Sequence, residues 1–381
     1  MAKVQTRAAV AEPPRSLQAE VWRLRTAADW ESAARPWMRL AQTVGAPAWL
    51  SWEWQFTWWQ TVAPRTVVRL LVLTNREGEW SGVLPLREGR WGPCRRWGGA
   101  ALDSQRRGLL CRSEDGAAAR AELARLVRER RDWDWLQVDG LAEEDATGLA
   151  GHWQSRGLEP QFGERSLQRY VALSRTGPGF AAQCGLAMSR ELERRERKLR
   201  QRGRLWLEVL RDAAPAAAAF ETCLQIEAQG WKGRAGTALL NSAVYTAFYR
   251  RLVRQLAASG QLRLMLLRLD AAVLAFQLGA LAPGSLAGLK VGYDEAWAPF
   301  GPGKIMLLHI LRHAQEEGLR EYDFLGGDDP FKASWTPLAR TLTHLRVFND
   351  TRRGLALSYA LSARRRLAPW RLAPPRATPV P

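Results

Sequence analysis

The sequence predicts an α/β (α+β) protein with two related domains, each a mixed, largely antiparallel sheet flanked by helices. Helical and strand patterns alternate along the chain and include antiparallel hairpins, which is typical of a sheet covered by helices. The 381 residues are enough for two domains that each bury a core. One stretch, Gly284 to Trp335, joins a strand, a glycine-bearing loop, an apolar helix and a second strand.

The overall composition is that of a globular protein with a strong positive charge. Apolar residues make up 46% of the chain, and the formal net charge is +18. An arginine-rich coding bias explains this charge as well as an affinity for an anion does. Candidate anionic partners are coenzyme A, a sugar nucleotide or polysaccharide, an acidic membrane and RNA.

The chain shows no run of apolar residues long enough to cross a membrane and no secretory signal pattern. The four cysteines are far apart and have no metal-ligand spacing, so a reducing cytoplasm is the expected compartment. We predict four segments: a flexible lead over 1–17, domains over 18–165 and 166–350, and a basic Pro/Arg-rich tail over 351–381.

The first half is predicted to run helix, hairpin, helix, strand, helix. Trp52, Phe56 and Trp59 follow i, i+4, i+7, which favours one packed helix face over a surface that stacks sugars or bases. Residues 91–103 are rich in glycine and tryptophan and are predicted to be irregular. A new strand is expected at 170–173. This half resembles a reduced copy of the second but has no equivalent glycine loop, so a structural or acceptor-binding role is expected.

The second half opens with a basic helix. Residues 190–204 hold eight basic and three acidic residues, and Arg195 interrupts a thin apolar stripe. This helix is either a solvated face or a contact for coenzyme A phosphates or an anionic acceptor. Strands, helices and a hairpin across Asp270-Ala271 follow, and a final strand is expected at 342–348.

The loop before the apolar helix predicts an anion site. A helix start carries unpaired N–H groups and the positive end of the helix dipole. The loop has two glycines, which allow close approach of a ligand, and a lysine charge. Its residues are Gly301, Pro302, Gly303, Lys304 and Ile305. The loop lacks the GKS or GKT of a P-loop and the third glycine of a dinucleotide fingerprint.

Several motifs taken together resemble one family. LKVGYDE, FGPGKIMLL and YDFLGGDDPFKASW follow in order, preceded by EAQGWKGRAGTAL at Glu227 to Leu239. Leu50 to Pro64 and the sequence GVLPL fit as well. Together they resemble the GNAT-superfamily acyltransferases of the CelD/BcsL type, the BioF-like acetyltransferase domain, which are distantly Fem-like. The resemblance covers most of residues 45 to 350.

This resemblance implies two tandem GNAT-like domains with one donor site. Acetyl-CoA or another acyl-CoA would lie between two splayed strands, 286–291 and 321–325, with its pyrophosphate at Pro302 to Ile305. The loop lacks the Arg or Gln that the family places three residues before its Gly-x-Gly. The implied reaction is acylation of an amino group on a small molecule or glycan in exopolysaccharide or cell-envelope production.

Acyl transfer to an amine needs a proton acceptor, oxygen stabilisation and a proton for the leaving thiolate. Glu227 is the first candidate base, because a carboxylate at a helix C-terminus faces the negative dipole end and becomes more basic. Asp323 lies in an apolar strand, where it either pairs with Lys332 or Lys290 or orients the acceptor. Tyr293 is a third catalytic candidate. The predicted acceptor contacts are Trp231, Lys232, Lys290, Asp328 and Lys332.

Two other patterns have a plainer interpretation. Asp329 precedes Pro330 and is expected to cap a short helix. His309 and His313 are spaced i, i+4, but the glutamate of HExxH is missing and no third ligand is evident, so no metal is predicted.

Two other functions remain open from the sequence. A Fem-like enzyme would take its donor from aminoacyl-tRNA, which suits a basic surface. A non-catalytic basic accessory protein of envelope assembly is the other. Residues 355–367 form either a basic amphipathic helix in contact with anionic lipid or part of a disordered tail, so a cytoplasmic protein with peripheral membrane contact is also compatible.

Overall fold

The computed structural model describes residues 17–99, 108–173 and 186–367. Over these ranges the strands are β1 (Gln18–Leu24), β2 (Val68–Thr74), β3 (Trp80–Trp91), β4 (Cys94–Gly99), β5 (Leu110–Cys111), β6 (Trp135–Ala142), β7 (Gln161–Ala172), β8 (Leu205–Leu210), β9 (Leu262–Leu269), β10 (Ala272–Ala282), β11 (Ser285–Tyr293), β12 (Glu321–Asp323) and β13 (Ala339–Phe348).

The α-helices of the same ranges are α1 (Ala27–Val44), α2 (Trp52–Thr61), α3 (Gly116–Glu129), α4 (Glu143–Gln154), α5 (Leu186–Arg200), α6 (Ala213–Gln229), α7 (Trp231–Arg234), α8 (Ala243–Ala258), α9 (Pro302–Glu316), α10 (Pro330–Ala333) and α11 (Arg352–Leu367). Short 3-10 turns occupy Ala48–Leu50, Ser113–Asp115, Leu239–Asn241 and Glu295–Phe300.

All thirteen of these strands belong to one sheet. Its order is β1-β2-β3-β4-β6-β13-β7-β12-β11-β10-β9-β8, with β5 on β3. The pairs β4–β6 and β11–β12 are parallel, and the other pairs along the sheet are antiparallel. The predicted mixed, largely antiparallel sheet flanked by helices is therefore confirmed.

The two halves of the chain repeat one element order. A strand, two main helices and a three-strand meander are followed by a helix and a strand parallel to the third meander strand. In the first half these elements are β1, α1, α2, β2, β3, β4, α3 and β6; in the second they are β8, α6, α8, β9, β10, β11, α9 and β12. The repeat agrees with the predicted tandem arrangement.

Strand β13 joins the halves. It follows the second half in sequence, yet it lies between β6 and β7. Its Leu345 and Val347 are fully buried in the hydrophobic core of the first half. Strand β7 pairs with β13 over residues 161–169 and with β12 over residues 170–172. The predicted boundary at 165/166 thus falls inside a strand that both halves share.

The aromatic run packs into the core as predicted, but the buried rings include Trp54 and Trp58, and Trp52 of the predicted face is only partly buried. Helix α2 buries Trp54, Phe56 and Trp59, and Phe56 stacks on Trp59 with ring centroids 6.0 Å apart. Trp54 contacts Phe248 of α8 edge to face at 5.7 Å. Helices of the two halves therefore share one core on this face of the sheet.

Two element predictions were wrong. Residues 94–99, expected to be irregular, form β4, which pairs with β3 and β6. Its glycines and arginines do not show the pattern of a strand. Strand β7 begins at Gln161 rather than near Tyr170, because its first residues are polar and exposed and show no apolar alternation.

The predicted flexible lead falls on residues outside the described ranges except for Leu17, as does the tail from residue 368 onward. Residues 352–367 of that tail form α11. In the parts of the chain that the structure describes, no helix combines the length and the apolar character needed to cross a bilayer.

Candidate active site

The predicted anion loop forms the start of α9. Gly301 is the N-cap, with φ 65° in the left-handed region that favours glycine, and Pro302 takes the first helical position. The amides of Lys304 and Ile305 donate to the Gly301 carbonyl at 3.0 and 3.2 Å, and proline has no N–H. Within the described residues this leaves the Gly303 amide without an acceptor, so it is the open donor of the loop.

The basic helix α5 lies against α9. Leu192 and Leu199 are buried in the core beneath it, and Glu196 approaches Nε2 of His309 at 3.2 Å. Hydrogen bonds from His309 and Arg200 lower the pKa of Glu196 to about 2 against the opposing effect of burial, so this carboxylate stays ionised. The contact fixes α5 beside the loop.

This packing brings arginines to the helix start. A Cβ placed on Gly301 would lie 3.0 Å from a terminal nitrogen of Arg195, the residue that interrupts the apolar stripe. The guanidinium of Arg202 lies 4.7 Å from the ring centre of Phe300 in the same loop. Arg195 also pairs with Glu191 of the same helix, at 2.7 Å. The structure thus places the basic helix beside the anion loop.

Strands β11 and β12 separate next to α9. They pair in parallel from Ser285↔Glu321 to Ala287↔Asp323, after which β11 continues to Tyr293. Beyond β12 the chain turns away through Leu325, whose φ of 52° is unusual for a residue with a side chain. Among the described residues, β11 beyond Ala287 therefore has no strand partner on the side of β12, and its end at Tyr293 lies beside the start of α9. We call the space along this unpaired stretch the gap.

A buried, hydrogen-bonded pair of side chains, Tyr322 and Gln277, lies beside β11. The Tyr322 hydroxyl donates to Oε1 of Gln277 at 2.7 Å, and burial raises the pKa of Tyr322 so that it remains protonated. A Cβ on Gly288 would lie 2.6 Å from the Tyr322 oxygen. Only glycine at position 288 therefore allows β11 and the Tyr322 side chain to approach so closely.

Asp323 has a different partner from those expected. Its Oδ2 accepts from Arg340 at 3.0 Å and its Oδ1 from the Leu325 amide at 2.8 Å. The sequence suggests Lys332 or Lys290 as the ion-pair partner of Asp323. Arg340 lies on β13, and a pairing that depends on strand order cannot be deduced from sequence spacing.

Several residues that were predicted to contact the acceptor bind other residues around the turn after β12. Lys332 donates from Nζ to the carbonyl oxygens of Leu325 at 2.8 Å and Gly327 at 2.6 Å. Asp329 accepts from the Lys332 amide at 2.9 Å, which confirms the predicted cap of α10. Asp328 forms a two-point ion pair with Arg169 of β7, at 2.5 and 3.1 Å.

Glu227 lies at the end of α6 and is 3% exposed. Its Oε1 is 2.8 Å from Nζ of Lys232, and its Oε2 accepts from the Leu239 amide at 2.8 Å. Lys232 also donates to the Val291 carbonyl of β11 at 2.7 Å. The pair thus ties α6 and α7 to the edge of the gap.

Lys290 is half-buried on β11, and its ammonium lies 5.0 Å from the ring centre of Tyr249. Burial and the nearby charge of Lys232 lower the pKa of Lys290 to about 8, although Glu227 opposes this shift. Lys290 therefore becomes neutral at a lower pH than an exposed lysine does.

Short helix α7 is also tied to the loop. The Trp231 amide donates to Glu295 at 2.8 Å, and Arg234 pairs with the same carboxylate at 2.9 Å. The Trp231 ring is 53% exposed. Sequence analysis missed Glu295, which is an ordinary acidic residue of a 3-10 turn by its local pattern.

The predicted residues form three groups, two beside the end of β11 and one in the turn after β12. Gly301, Gly303, Lys304 and Tyr293 lie at the start of α9, where a Cβ on Gly303 would be 3.8 Å from the Tyr293 ring. Glu227, Lys232 and Lys290 cluster on the face that carries α6 and α8. Asp323, Asp328 and Lys332 stabilise the turn after β12. The structure places no group of three or more potential metal-ligating side chains together within the ranges it describes.

Comparison with protein families identifies the part of the chain that carries these groups. A family model described as an acetyltransferase (GNAT) domain matches residues 187–333. Residues 187–333 are similar to a GNAT acetyltransferase domain and are called the GNAT domain here. The GNAT domain contains α5 to α10 and every site residue that the sequence predicted. The chain therefore carries the domain of an N-acetyltransferase.

Two solved structures, FemX and a protein from Bacteroides thetaiotaomicron, share the fold over a longer range. FemX is 15% identical, with 81% of this chain and 92% of that chain covered and a TM-score of 0.55. A conserved protein of unknown function from Bacteroides thetaiotaomicron is 10% identical, with 85% and 98% covered and a TM-score of 0.50. A tandem GNAT protein from the clavulanic acid biosynthesis pathway is 15% identical, with 86% and 98% covered and a TM-score of 0.40. No curated protein matches the chain.

Proposed function

We propose that this protein transfers an acetyl or other acyl group from acyl-CoA to an amino group of an acceptor. The observation that carries the proposal is the open start of α9 beside the gap between β11 and β12. One anion-binding helix start next to one strand gap suits a donor with a phosphate group at one end and a thioester at the other.

The donor phosphates would lie at the α9 loop. The Gly303 amide would donate to the pyrophosphate, and Lys304, Arg195 and Arg202 would supply positive charge around it. The acyl end would then run along the free edge of β11. The family has an Arg or Gln where this chain has Ala298. In this proposal Arg195, which reaches the loop from α5, takes the place of that side chain.

The chemistry requires an N–C bond to form while the thioester C–S bond breaks. We assign the ammonium proton of the acceptor to Lys290, since its neutral amine beside the gap can accept it. Tyr293, at the end of β11 and against the donor helix, would protonate the leaving thiolate and regain a proton from the acceptor nitrogen as the amide forms. Glu227 already has a partner on each carboxylate oxygen, so we assign it to holding Lys232 in place, rather than to taking the proton itself.

The acceptor would approach over α7 and the turn after β12. Trp231 offers an exposed ring on which a sugar can stack. Lys332 and Asp328 shape the opposite edge through the turn that they stabilise. An amine of an exopolysaccharide or cell-envelope precursor is the acceptor class that the family resemblance supports.

The test is thermal protection by acetyl-CoA. A ligand that binds only the folded state raises its stability by RT ln(1 + [L]/Kd). We expect acetyl-CoA to raise the melting temperature of the wild type, and Gly303→Val with Lys304→Ala to abolish the rise. Arg195→Ala should weaken it, whereas the exposed Arg197→Ala on the opposite side of α5 serves as the matched control.

Two results would replace the proposal. If acetyl-CoA does not bind and charged tRNA binds with steep salt dependence, the donor is aminoacyl-tRNA. If Lys290→Met, Glu227→Gln and Asp323→Asn all leave the cellular function intact, the protein acts without catalysis.

A further inference from the structure

An arginine-lined cavity of about 620 Å³ lies in the first half, away from the GNAT domain. It opens where β1, β2, β3 and β4 meet, and β6, β13, β7 and β12 separate it in the sheet from β11. The arginines that line it are Arg23, Arg65, Arg69, Arg90, Arg95 and Arg96. Its volume is in the range of small-molecule sites.

The lining carries far more positive than negative charge. Its carboxylates are Glu88 and Asp132. Both pair with Arg69, at 2.5 Å each, and Glu88 also pairs with Arg23 at 2.9 Å. Arg95 pairs outside the lining with the buried Asp134, at 2.9 Å. The walls of the cavity concentrate the field of Arg65 and Arg90.

The cavity is also pre-organised. Arg69 is only 4% exposed, is held by two carboxylates and lies 4.5 Å from the ring centre of Trp97. The Arg96 guanidinium lies 4.8 Å from the ring centre of Trp135. Arg65 and Arg90 are exposed at the mouth, and across the described parts of the chain neither has a carboxylate within ion-pair distance.

The composition of the lining indicates the ligand chemistry. Every cation in it is arginine, whose planar fork binds phosphate oxygens in pairs, whereas lysine acts as a point charge. The geometry points to a second anion site that binds a di- or polyphosphate group. The group can belong to a free phosphorylated metabolite or to a lipid headgroup, since both present the same oxygens to the arginines.

The test uses the full-length chain with its donor site blocked. Inorganic pyrophosphate would also bind the α9 loop under the proposed function, so binding is measured by calorimetry in the Gly303→Val, Lys304→Ala background. Arg65→Ala with Arg90→Ala removes two exposed charges from the cavity, and Arg35→Ala with Arg251→Ala removes two exposed charges elsewhere. Unchanged melting temperatures show that both double variants fold.

We expect pyrophosphate to bind the blocked protein, with affinity falling roughly tenfold or more in the cavity variant and unchanged in the control. In a parallel experiment, diacylglycerol pyrophosphate in phosphatidylcholine vesicles replaces pyrophosphate. Vesicle binding that needs Arg65 and Arg90, without pyrophosphate binding, identifies the lipid source. The site is refuted if neither probe binds, or if the control variant loses as much affinity as the cavity variant.

This outcome is independent of the donor assignment. Failure of acetyl-CoA to protect the wild type would remove the proposed function and leave the cavity result unchanged. Loss of the cavity result would leave the donor assignment untouched.

Discussion

Lys232 and Glu227 form a buried ion pair, with Nζ 2.8 Å from Oε1, at the junction of α6 and α7. The side chain of Glu227 is 1% exposed and that of Lys232 19%. Removing one member of a buried pair leaves an uncompensated charge, which costs about 3–5 kcal/mol.

Lys232→Met should therefore lower the free energy of unfolding by about that amount, measured by urea denaturation. The double variant with Glu227→Gln should lose less than the sum of the single changes, because no buried charge then remains. Lys198→Met, on an exposed surface, is the control. A loss in Lys232→Met no larger than in this control would contradict the buried pair.

Lys290 should impose a pH dependence on the reaction. If it accepts the proton, kcat/KM rises with pH to a plateau above about 8, the pKa that burial and Lys232 give it. Lys290→Met should remove this rise and lower the plateau. Lys198→Met should keep both. A profile that retains the rise in Lys290→Met would assign the proton to another group.

The same lysine should affect stability with a defined sign. Its pKa is lower in the folded state than the usual 10.5, so burial of its charge opposes folding. That cost is fully present below pH 8 and disappears as pH rises toward 10.5. Lys290→Met should thus raise the melting temperature at pH 7 more than at pH 10, and an equal gain at both pH values would argue against a buried charge.

Gly233 should tolerate no side chain. A Cβ at this position would overlap the carbonyl oxygen of Ala228, so the junction of α6 and α7 would have to move. We expect Gly233→Ala to cost about 1–3 kcal/mol and to weaken catalysis by displacing Lys232. Gly151→Ala is the matched control, since no atom lies near its Cβ position in α4 and alanine favours a helix. A neutral Gly233→Ala in the same unfolding assay would mean that the junction adapts.

Strand β13 should stabilise the half that it joins. Leu345 is fully buried in the core formed by β6, α3 and α4, so Leu345→Ala should cost about 2–5 kcal/mol. Leu355→Ala on α11 removes a side chain that is 57% exposed and should cost little. Hydrogen exchange is the discriminating measurement: amides of β6 should lose protection in the first variant and keep it in the second.

Local signals in the sequence predicted the parts of the site that depend on neighbouring residues. The helix after Gly301-Pro302 is present because glycine permits the left-handed N-cap and proline suits the first turn. The packed face of α2 and the Asp329 cap follow from spacing alone. These features need no knowledge of distant residues.

The remainder depended on long-range pairing. The partner of Asp323 is Arg340 on β13, and the place of β13 in the sheet cannot be read from periodicity. Arg195 was visible only as a break in an apolar stripe, and its position beside Gly301 follows from the packing of α5 on α9. The predicted strand at 170–173 covers only the end of β7. The start of β7 is exposed and polar and lacks the apolar/polar alternation that predicts a strand.

The insertion of β13 between β6 and β7 also affects synthesis on the ribosome. Strand β6 ends at Ala142, whereas β13 begins at Ala339. During translation, the sheet of the first half therefore stays incomplete until the GNAT domain has left the exit tunnel. Until then the edges of β6 and β7 that face β13 are unpaired. Open edges of this kind promote association between nascent chains. We expect slow elongation or depleted chaperones to reduce the soluble yield of this protein more than that of a single-domain acetyltransferase.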